Sequence, residues 1–258
     1  MTFFGPGGLR DMWPFARKRI VDDDTAAWHL ENFTWLLKEF GGNGAFAKLK
    51  LVLPRPEYFA ADGKRDHAFA VRIFDQVKAY CGMTGWEVDL VADDNPLARD
   101  AEPSAFMVAP QKHALGTFAV AGNRIQISYV PALLARPEHL IATLAHELAH
   151  YLLATARTPP PCEDDEKECL TDLAAVYLGF GVFLANARFT FEPLIAGLSQ
   201  GWSMSHSGYL PEADLIFALA LFLEAKGLDP APALSCLKPH LAKMLRRTAR
   251  QRGWRDAR

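Results

Sequence analysis

The chain has 258 residues, half of them apolar, and a net charge of −2. This composition predicts a globular protein with one large domain or two closely packed subdomains. The near-neutral charge argues against nucleic acid or an anionic membrane surface as the main partner. The four cysteines include no Cys-x-x-Cys pair, so we expect a reduced, cytoplasmic protein.

The first half of the chain predicts alternating helices and strands. Residues 1–21 form an irregular, Gly- and Pro-rich segment without the apolar run of a secretory signal, so we expect no export. Acidic capping residues at 22–24 begin a helix that ends at Gly41 and Gly42. A strand at 48–53, a helix over 66–80, a strand at 86–91 and a polar linker over 93–103 follow.

A predicted hairpin comes next. The β-prone runs 117–121 and 124–129 flank Gly122-Asn123, which is a turn signal. Two interpretations of this hairpin remain open. An edge strand placed just before a catalytic helix can hold an extended peptide by main-chain hydrogen bonds, or the hairpin can be purely structural with a protected edge.

The most informative motif lies in the apolar helix that begins at Pro137. It is His146-Glu147-Leu148-Ala149-His150. A helical turn advances 3.6 residues, so both histidines project from the same face. Two neutral imidazoles can bind a divalent metal, and Glu147 can take a proton from a water molecule that the metal activates.

The second half of the chain is predicted to be mostly helical. After the break at residues 159–161 and an acidic run at 163–168, helices are expected over 170–186, 212–226 and 233–250, with a basic tail at 251–258. We expect an α+β subdomain over 22–157 and a helical subdomain over 162–250. The basic residues after 238 predict a solvated helix face, not a nucleic-acid site.

Residues 173–186 form the most apolar stretch. This stretch is shorter than the roughly 20 residues that span a bilayer, so we expect a buried core helix and no membrane span. Gly179 and Gly181 disfavour a regular helix and indicate close backbone packing, for which the helix with the two histidines is the expected neighbour.

A third metal ligand is expected from the acidic run or from the helix that follows it. Glu168 and Asp172 are spaced i, i+4, so both carboxylates lie on one helix face. One can bind the metal, and the other can accept the free ring N–H of a ligating histidine. Pairing of Asp164 or Asp165 with Glu168, and ligation by Asp172 itself, remain alternatives.

His-Glu-x-x-His followed by Glu168-Cys169-Leu170-Thr171-Asp172 resembles the gluzincin group of zinc metallopeptidases. The resemblance covers residues 137–187, and it extends more loosely to bacterial zincin-like proteins of unassigned activity. It implies that His146, His150 and Glu168 bind Zn²⁺, that Glu147 is the general base and that Asp172 orients a histidine. It also implies a zincin-like α+β fold, in which a small mixed or antiparallel sheet and the active-site helix precede a mainly helical part.

Three protein ligands and one open position are typical of a catalytic zinc. The expected reaction is hydrolysis of a peptide or protein substrate, which also needs a hydrogen-bond donor opposite the metal. Candidate donors are His206 and Tyr209, with Tyr151 and Tyr177 as weaker options. A non-catalytic zincin-like protein that binds metal or a partner is the alternative, and a membrane protein is a third reading.

Overall fold

Helices dominate the fold, which also contains a small mixed sheet of three strands, so the protein has an α+β fold. A computed structural model describes residues 20–59, 63–93, 116–121, 124–195 and 209–251. Five sequence-based expectations fall wholly or mostly outside these ranges. They are the irregular amino-terminal segment, the polar linker over 93–103, the turn at Gly122-Asn123, the donor His206 and the basic tail.

The helices and strands occur in the following order along the chain. The helices are α1 (Asp23–Phe40), α2 (Ala45–Lys48), α3 (His67–Tyr80), α4 (Pro137–Ala154), α5 (Lys167–Ala175), α6 (Gly181–Ile195), α7 (Glu212–Lys226), α8 (Ala231–Cys236) and α9 (Pro239–Gln251). The strands β1 (Val88–Ala92), β2 (Gly116–Ala121) and β3 (Arg124–Tyr129) lie between α3 and α4.

Local capping explains where the first helices begin. The Asp22 carboxylate accepts from the backbone N–H of Thr25 at the start of α1, and Asp66 accepts from Phe69 at the start of α3. A side-chain oxygen at this position satisfies an N–H group that the helix leaves unpaired. The predicted helices over 22–40 and 66–80 are therefore confirmed.

The sheet has the strand order β1-β3-β2. The pair β2 and β3 forms the predicted antiparallel hairpin, whereas β1 runs parallel to β3. Within the described part of the chain, β3 is thus the central strand, and β2 lies at an edge with one side of its backbone unpaired.

Helix α4 is the central element of the fold. It packs against α3, α5, α6 and the hairpin strands, and every residue from 140 to 149 is buried. Pro137 occupies its first turn, where a missing N–H costs nothing, and Glu138 complements the helix dipole there. The two predicted metal-binding histidines therefore lie on a largely buried helix.

The predicted strand over 48–53 is wrong. Lys48 ends the short helix α2, and residues 49–53 form an extended segment that pairs with no described strand. The backbone N–H of Val52 donates to the carbonyl of Gly179 at 3.0 Å, so this segment is bound to a helix kink instead of a sheet. Its apolar pattern reflects burial of Leu49, Leu51 and Leu53, which a strand would also require.

The helix predicted over 170–186 contains a break. Gly179 has φ of 102° inside a π-helical turn, Val176–Phe180, that joins α5 to α6. The close packing predicted for the two glycines is confirmed, but the expected neighbour is wrong. A side chain at Gly179 would meet the backbone of Lys50, and one at Gly181 would meet Val176 and Leu219, so neither contacts α4 most closely.

The helix predicted over 233–250 is divided into α8 and α9. Leu237 is extended between them, and Pro239 begins α9. A proline disfavours helical geometry at the residue before it and lacks the N–H that a continuous helix would use. The apolar spacing on either side hid this break from the sequence pattern.

Among the described residues, one helical stretch, Asp164–Arg188, is long and apolar enough to cross a membrane by length and composition alone. Its apolar window is completely buried inside the protein, as in a core helix. Buried residues of both predicted subdomains also belong to one hydrophobic cluster, and α1 packs against α5 and α7.

Candidate metal centre

Helices α4 and α5 bring two imidazoles and a carboxylate together. The Nε2 atoms of His146 and His150 are 3.1 Å apart, and Glu168 Oε2 lies 3.2 Å from His146 Nε2 and 3.5 Å from His150 Nε2. The two histidines lie one turn apart on α4, and Glu168 lies in the first turn of α5. These three side chains form a compact group that could hold a metal ion.

The other carboxylate of the pair orients His146. Asp172 Oδ1 lies 2.9 Å from His146 Nδ1, while its second oxygen accepts from the backbone N–H of Leu210 at 2.9 Å. An ionised carboxylate can only accept, so Nδ1 of His146 carries a hydrogen and donates it. In the neutral imidazole, Nε2 then presents a lone pair to the group.

Thr171 orients His150 in the same way. Its hydroxyl donates to the carbonyl of Lys167 at 2.9 Å, and its oxygen lies 3.2 Å from His150 Nδ1. Because the hydroxyl hydrogen is used on the carbonyl, the oxygen accepts the ring N–H of His150. Nε2 of His150 is therefore also a lone-pair atom in the neutral ring.

The two Nε2 atoms and the Glu168 oxygen are then all acceptors, so they cannot hydrogen-bond to one another. A proton or a cation between them is needed to make their close approach favourable. In a tetrahedral zinc site with bonds of about 2.0–2.1 Å, neighbouring ligand atoms are about 3.3–3.4 Å apart. The three separations in this group are 3.1, 3.2 and 3.5 Å. The residues therefore fit a zinc ion in donor type, tautomer and spacing.

The electrostatics of the group favour a positive charge at its centre. Burial disfavours charged His146, but the neighbouring carboxylates of Asp172 and Glu168 raise the pKa of this histidine well above its ordinary value. Burial likewise opposes ionisation of Glu168, yet the two adjacent histidines hold the pKa of its carboxyl well below the usual range. A divalent cation would supply the positive charge that these buried carboxylates require.

Glu147 lies beside the ligand group with an unused oxygen. Its side chain is 5% exposed, and its Oε2 atom is buried without a hydrogen-bond partner. Burial raises the pKa of the Glu147 carboxyl, and nearby Glu168 adds to this rise, whereas His146 and His150 oppose it. A buried acceptor without a partner is costly, and a water molecule held at the metal would satisfy it.

The competing acids of the acidic run lie away from the group. Asp164 is 96% exposed at its side chain and pairs with Lys167, and Asp165 is exposed. Glu166 instead accepts from the Trp28 indole N–H at 3.0 Å and from the backbone N–H of Glu163. Glu163 and Glu166 thus cap the 3₁₀ turn Asp164–Glu166 that leads into α5, and Glu166 ties this turn to α1. Glu168 alone of the run reaches the two histidines through its described contacts.

Of the predicted donors within the described residues, Tyr209 contacts the group. The Tyr209 ring contacts the His146 ring, with 5.4 Å between centroids, whereas His206 lies outside the described residues. Burial raises the pKa of Tyr209, and three nearby carboxylates add to the rise, so its hydroxyl stays protonated as a donor. The Tyr151 ring packs on Trp86, and the Tyr177 ring stacks on Phe46 in the core.

Edge strand β2 approaches the same end of α4. The Phe118 ring stacks on the His150 ring at 6.4 Å between centroids and also contacts Tyr151. The sequence interpretation placed a strand near the metal-bearing helix, and the structure identifies the edge strand as β2 because β3 is central. Through the Phe118 side chain, β2 therefore lies close to His150.

Sequence reasoning missed three contributors to this site. Thr171 carried no predicted role, yet its hydroxyl contacts Nδ1 of His150. The backbone N–H of Leu210 and the side chain of Arg188 also reach the site through Asp172 and Tyr209. No pattern of spacing marks these residues, because they depend on how separate helices pack.

Cysteine chemistry does not complete the site. Cys169 lies next to Glu168 on α5, and burial raises the pKa of its thiol to about 12. All four cysteines are free thiols. Among the described residues, the group that could hold a metal ion includes no cysteine.

Comparison of the chain with protein-family models, with curated proteins and with solved structures finds no match.

Proposed function

We propose that the protein is a zinc-dependent hydrolase that cleaves peptide bonds, with His146, His150 and Glu168 as the zinc ligands and Glu147 as the general base. One observation carries the proposal. Two imidazole Nε2 atoms with their Nδ1 hydrogens engaged elsewhere face a carboxylate oxygen at zinc-like spacing, beside a buried glutamate oxygen that has no partner. The resemblance to gluzincins agrees with this set of roles.

Each side chain has a defined task in this proposal. Bound zinc supplies Lewis acidity, which polarises the scissile carbonyl and lowers the pKa of water. Glu147 accepts one proton from the attacking water and returns it to the leaving nitrogen as the C–N bond breaks. The products are a carboxylic acid and an amine, which become a carboxylate and an ammonium group when the second proton of the water moves to the amine. Asp172 and Thr171 hold the imidazole tautomers throughout.

Tyr209 is proposed to stabilise the developing oxyanion. Its ring already contacts His146, and its hydroxyl is protonated because burial and neighbouring carboxylates raise its pKa. A preorganised donor near the reacting carbonyl typically contributes a hundredfold to a thousandfold in rate. His206 stays a candidate for the same role.

Edge strand β2 is proposed to hold the substrate. An extended peptide can pair with the open side of a strand by main-chain hydrogen bonds, and Phe118 on β2 lies against His150. The proposed substrate is therefore an extended peptide or an unfolded segment of a protein. The four free cysteines are in keeping with a proposed cytoplasmic location, where thiols stay reduced.

The catalytic role is tested by replacing Glu147 with glutamine. We expect the Glu147→Gln variant to keep its zinc and lose at least about a hundredfold in cleavage rate, because an amide cannot accept the proton from water. The measurement is digestion of a synthetic peptide library followed by mass spectrometry of the products, with zinc content determined on the same samples.

The matched control is Glu138→Gln, the same chemical change at an exposed position in the first turn of the same helix. It should cleave like the wild type. Equal cleavage by the wild type and by Glu147→Gln would exclude Glu147 as the base. A wild type that binds zinc and cleaves nothing would favour the alternative of a non-catalytic metal-binding or partner-binding protein.

A further inference from the structure

Arg188 lies near the candidate metal centre and forms no ion pair with any residue that the structure describes. It lies on α6 with its side chain partly buried, and its Nε atom is buried without a hydrogen-bond partner. Its one described contact is with the Tyr209 ring, 5.3 Å from the guanidinium carbon to the centroid. No hydrogen bond or ion pair joins it to another residue in the described part of the chain.

Such an arrangement is unusual for arginine. The guanidinium has five N–H donors and no acceptor, and buried charges are normally paired because desolvation is costly. A contact with one aromatic ring satisfies the positive charge only in part and satisfies none of the donors in the guanidinium plane. An anion with two oxygen atoms would match this plane.

The position of Arg188 connects it to the reaction. Tyr209 contacts both the guanidinium and the His146 ring. The distance from the guanidinium to the Tyr209 ring and the distance from that ring to the His146 ring are 5.3 and 5.4 Å. Arg188 is therefore no farther from His146 than the length of about three residues of extended peptide, at roughly 3.3–3.6 Å per residue. The guanidinium charge also lowers the pKa of Tyr209 and Cys169 against the general rise caused by burial, so its field reaches this side of the site.

The carboxylates around the site would disfavour an acidic substrate, and Arg188 offsets their negative charge. Three buried carboxylates, Glu147, Glu168 and Asp172, act on Tyr209 from the metal side. They would repel an acidic substrate unless a fixed cation offset them. Among the groups that act on Tyr209, Arg188 supplies that positive charge.

We propose that Arg188 determines substrate specificity by binding a carboxylate that lies within three residues of the scissile bond. The carboxylate is either the free carboxyl terminus of a peptide or the side chain of a substrate Asp or Glu. This inference rests on the proposed peptidase function, because it assigns the substrate class of the same site.

Binding in the absence of turnover tests this proposal. Zinc-loaded Glu147→Gln protein is immobilised and exposed to equimolar N-acetylated random pentapeptides in three forms, with retained peptides quantified by mass spectrometry. The forms have a free carboxyl terminus, an amidated terminus, or an amidated terminus with one fixed glutamate. We expect at least one carboxylate-bearing form to be enriched roughly tenfold or more over the plain amide, and the enriched form identifies the source.

The same experiment is repeated with Arg188→Gln, Arg188→Lys and Arg65→Gln, each combined with Glu147→Gln. Arg65 is an exposed arginine that also lies over an aromatic ring, that of Phe69, and its variant should keep the full preference. Arg188→Gln should abolish the preference. Arg188→Lys should keep part of it, because lysine retains the charge but not the planar pair of donors.

Equal recovery of the three peptide forms, including recovery of none, would overturn the proposal, as would an unchanged preference in Arg188→Gln. Thermal unfolding of each variant tests whether a lost preference reflects a loss of structure. Because Arg188 has no hydrogen bond or ion pair with a described residue, Arg188→Gln should unfold at the same temperature as its parent or higher. The two proposals can also fail separately. If the wild type cleaves no peptide but binding still shows a carboxylate preference that depends on Arg188, the proposed hydrolase function is contradicted and the carboxylate-binding site is retained.

Discussion

Hydrogen bonds to the Nδ1 atoms of His146 and His150 determine whether their Nε2 atoms carry a lone pair or a hydrogen. Asp172 and Thr171 each engage an Nδ1 atom, so both Nε2 atoms are available to a metal. The two partners differ in strength, because an ionised carboxylate accepts a stronger hydrogen bond than a hydroxyl does. Thr171 is the more informative residue to change, since its side chain has a near-isosteric apolar replacement.

We expect Thr171→Val to weaken zinc binding by roughly tenfold while leaving the stoichiometry unchanged. Valine fills the same buried volume but cannot accept the ring N–H of His150, and loss of such a partner typically costs tenfold to a hundredfold in metal affinity. Competition with a chromophoric zinc chelator measures the affinity. Thr171→Ser, which retains the hydroxyl, should restore it, and wild-type affinity in Thr171→Val would contradict the role of this hydroxyl.

The residues of the metal site were predictable to different degrees. His146, Glu147 and His150 follow from the period of one helix, and Glu168 with Asp172 follows from i, i+4 spacing on the next. The resemblance favoured Glu168 as the ligand, but spacing alone left Asp164, Asp165 and Asp172 open, because the contact with the two histidines depends on the rotation of α5 against α4. No sequence pattern marked Arg188, since its interest lies in the lack of a hydrogen bond or ion pair among the described residues.

At the scale of elements, the connection between α5 and α6 is the most constrained feature. Gly179 adopts φ of 102°, and its carbonyl accepts the N–H of Val52 from the extended segment. The sequence pattern indicated close packing at this glycine but could not tell which segment approaches it. Residues 48–53 were predicted as a strand for a related reason. A buried extended segment and a strand have the same apolar pattern, so the sequence alone does not distinguish them.

We expect Gly179→Ala to lower the free energy of unfolding by at least about 3 kcal/mol. An added Cβ would overlap the Lys50 carbonyl oxygen, and the positive φ is strained for any residue with a side chain. Urea unfolding measures the loss, and failure to fold soluble protein is its extreme form.

Gly227→Ala is the matched control for this effect. Gly227 ends α7 with φ of 63°, and nothing lies within 4 Å of the position that a Cβ would take. Its replacement should cost only about 1 kcal/mol, which is the price of left-handed geometry alone. Equal losses at the two glycines would show that the packing against Lys50 contributes nothing.

At the scale of the whole molecule, the candidate zinc site joins the two halves of the chain. His146 and His150 belong to α4 at the end of the predicted α+β half, whereas Glu168 and Asp172 belong to α5 at the start of the helical half. Arg188 and Tyr209 extend the site to α6 and to the segment before α7. The α+β class and most helices were predictable from local patterns, but this joining of the halves depends on tertiary packing.

The central claim is that Glu168 completes a zinc site with the two histidines. The most direct measurement is the zinc content and affinity of purified wild type, Glu168→Gln and Asp164→Asn, with the metal determined by mass spectrometry after equilibrium dialysis. Asp164 is the control, because it is an exposed acid of the same run that pairs only with Lys167 in the described contacts. We predict one zinc per chain in wild type and Asp164→Asn, with affinity reduced at least a hundredfold in Glu168→Gln. Unchanged zinc content and affinity in Glu168→Gln would contradict the account.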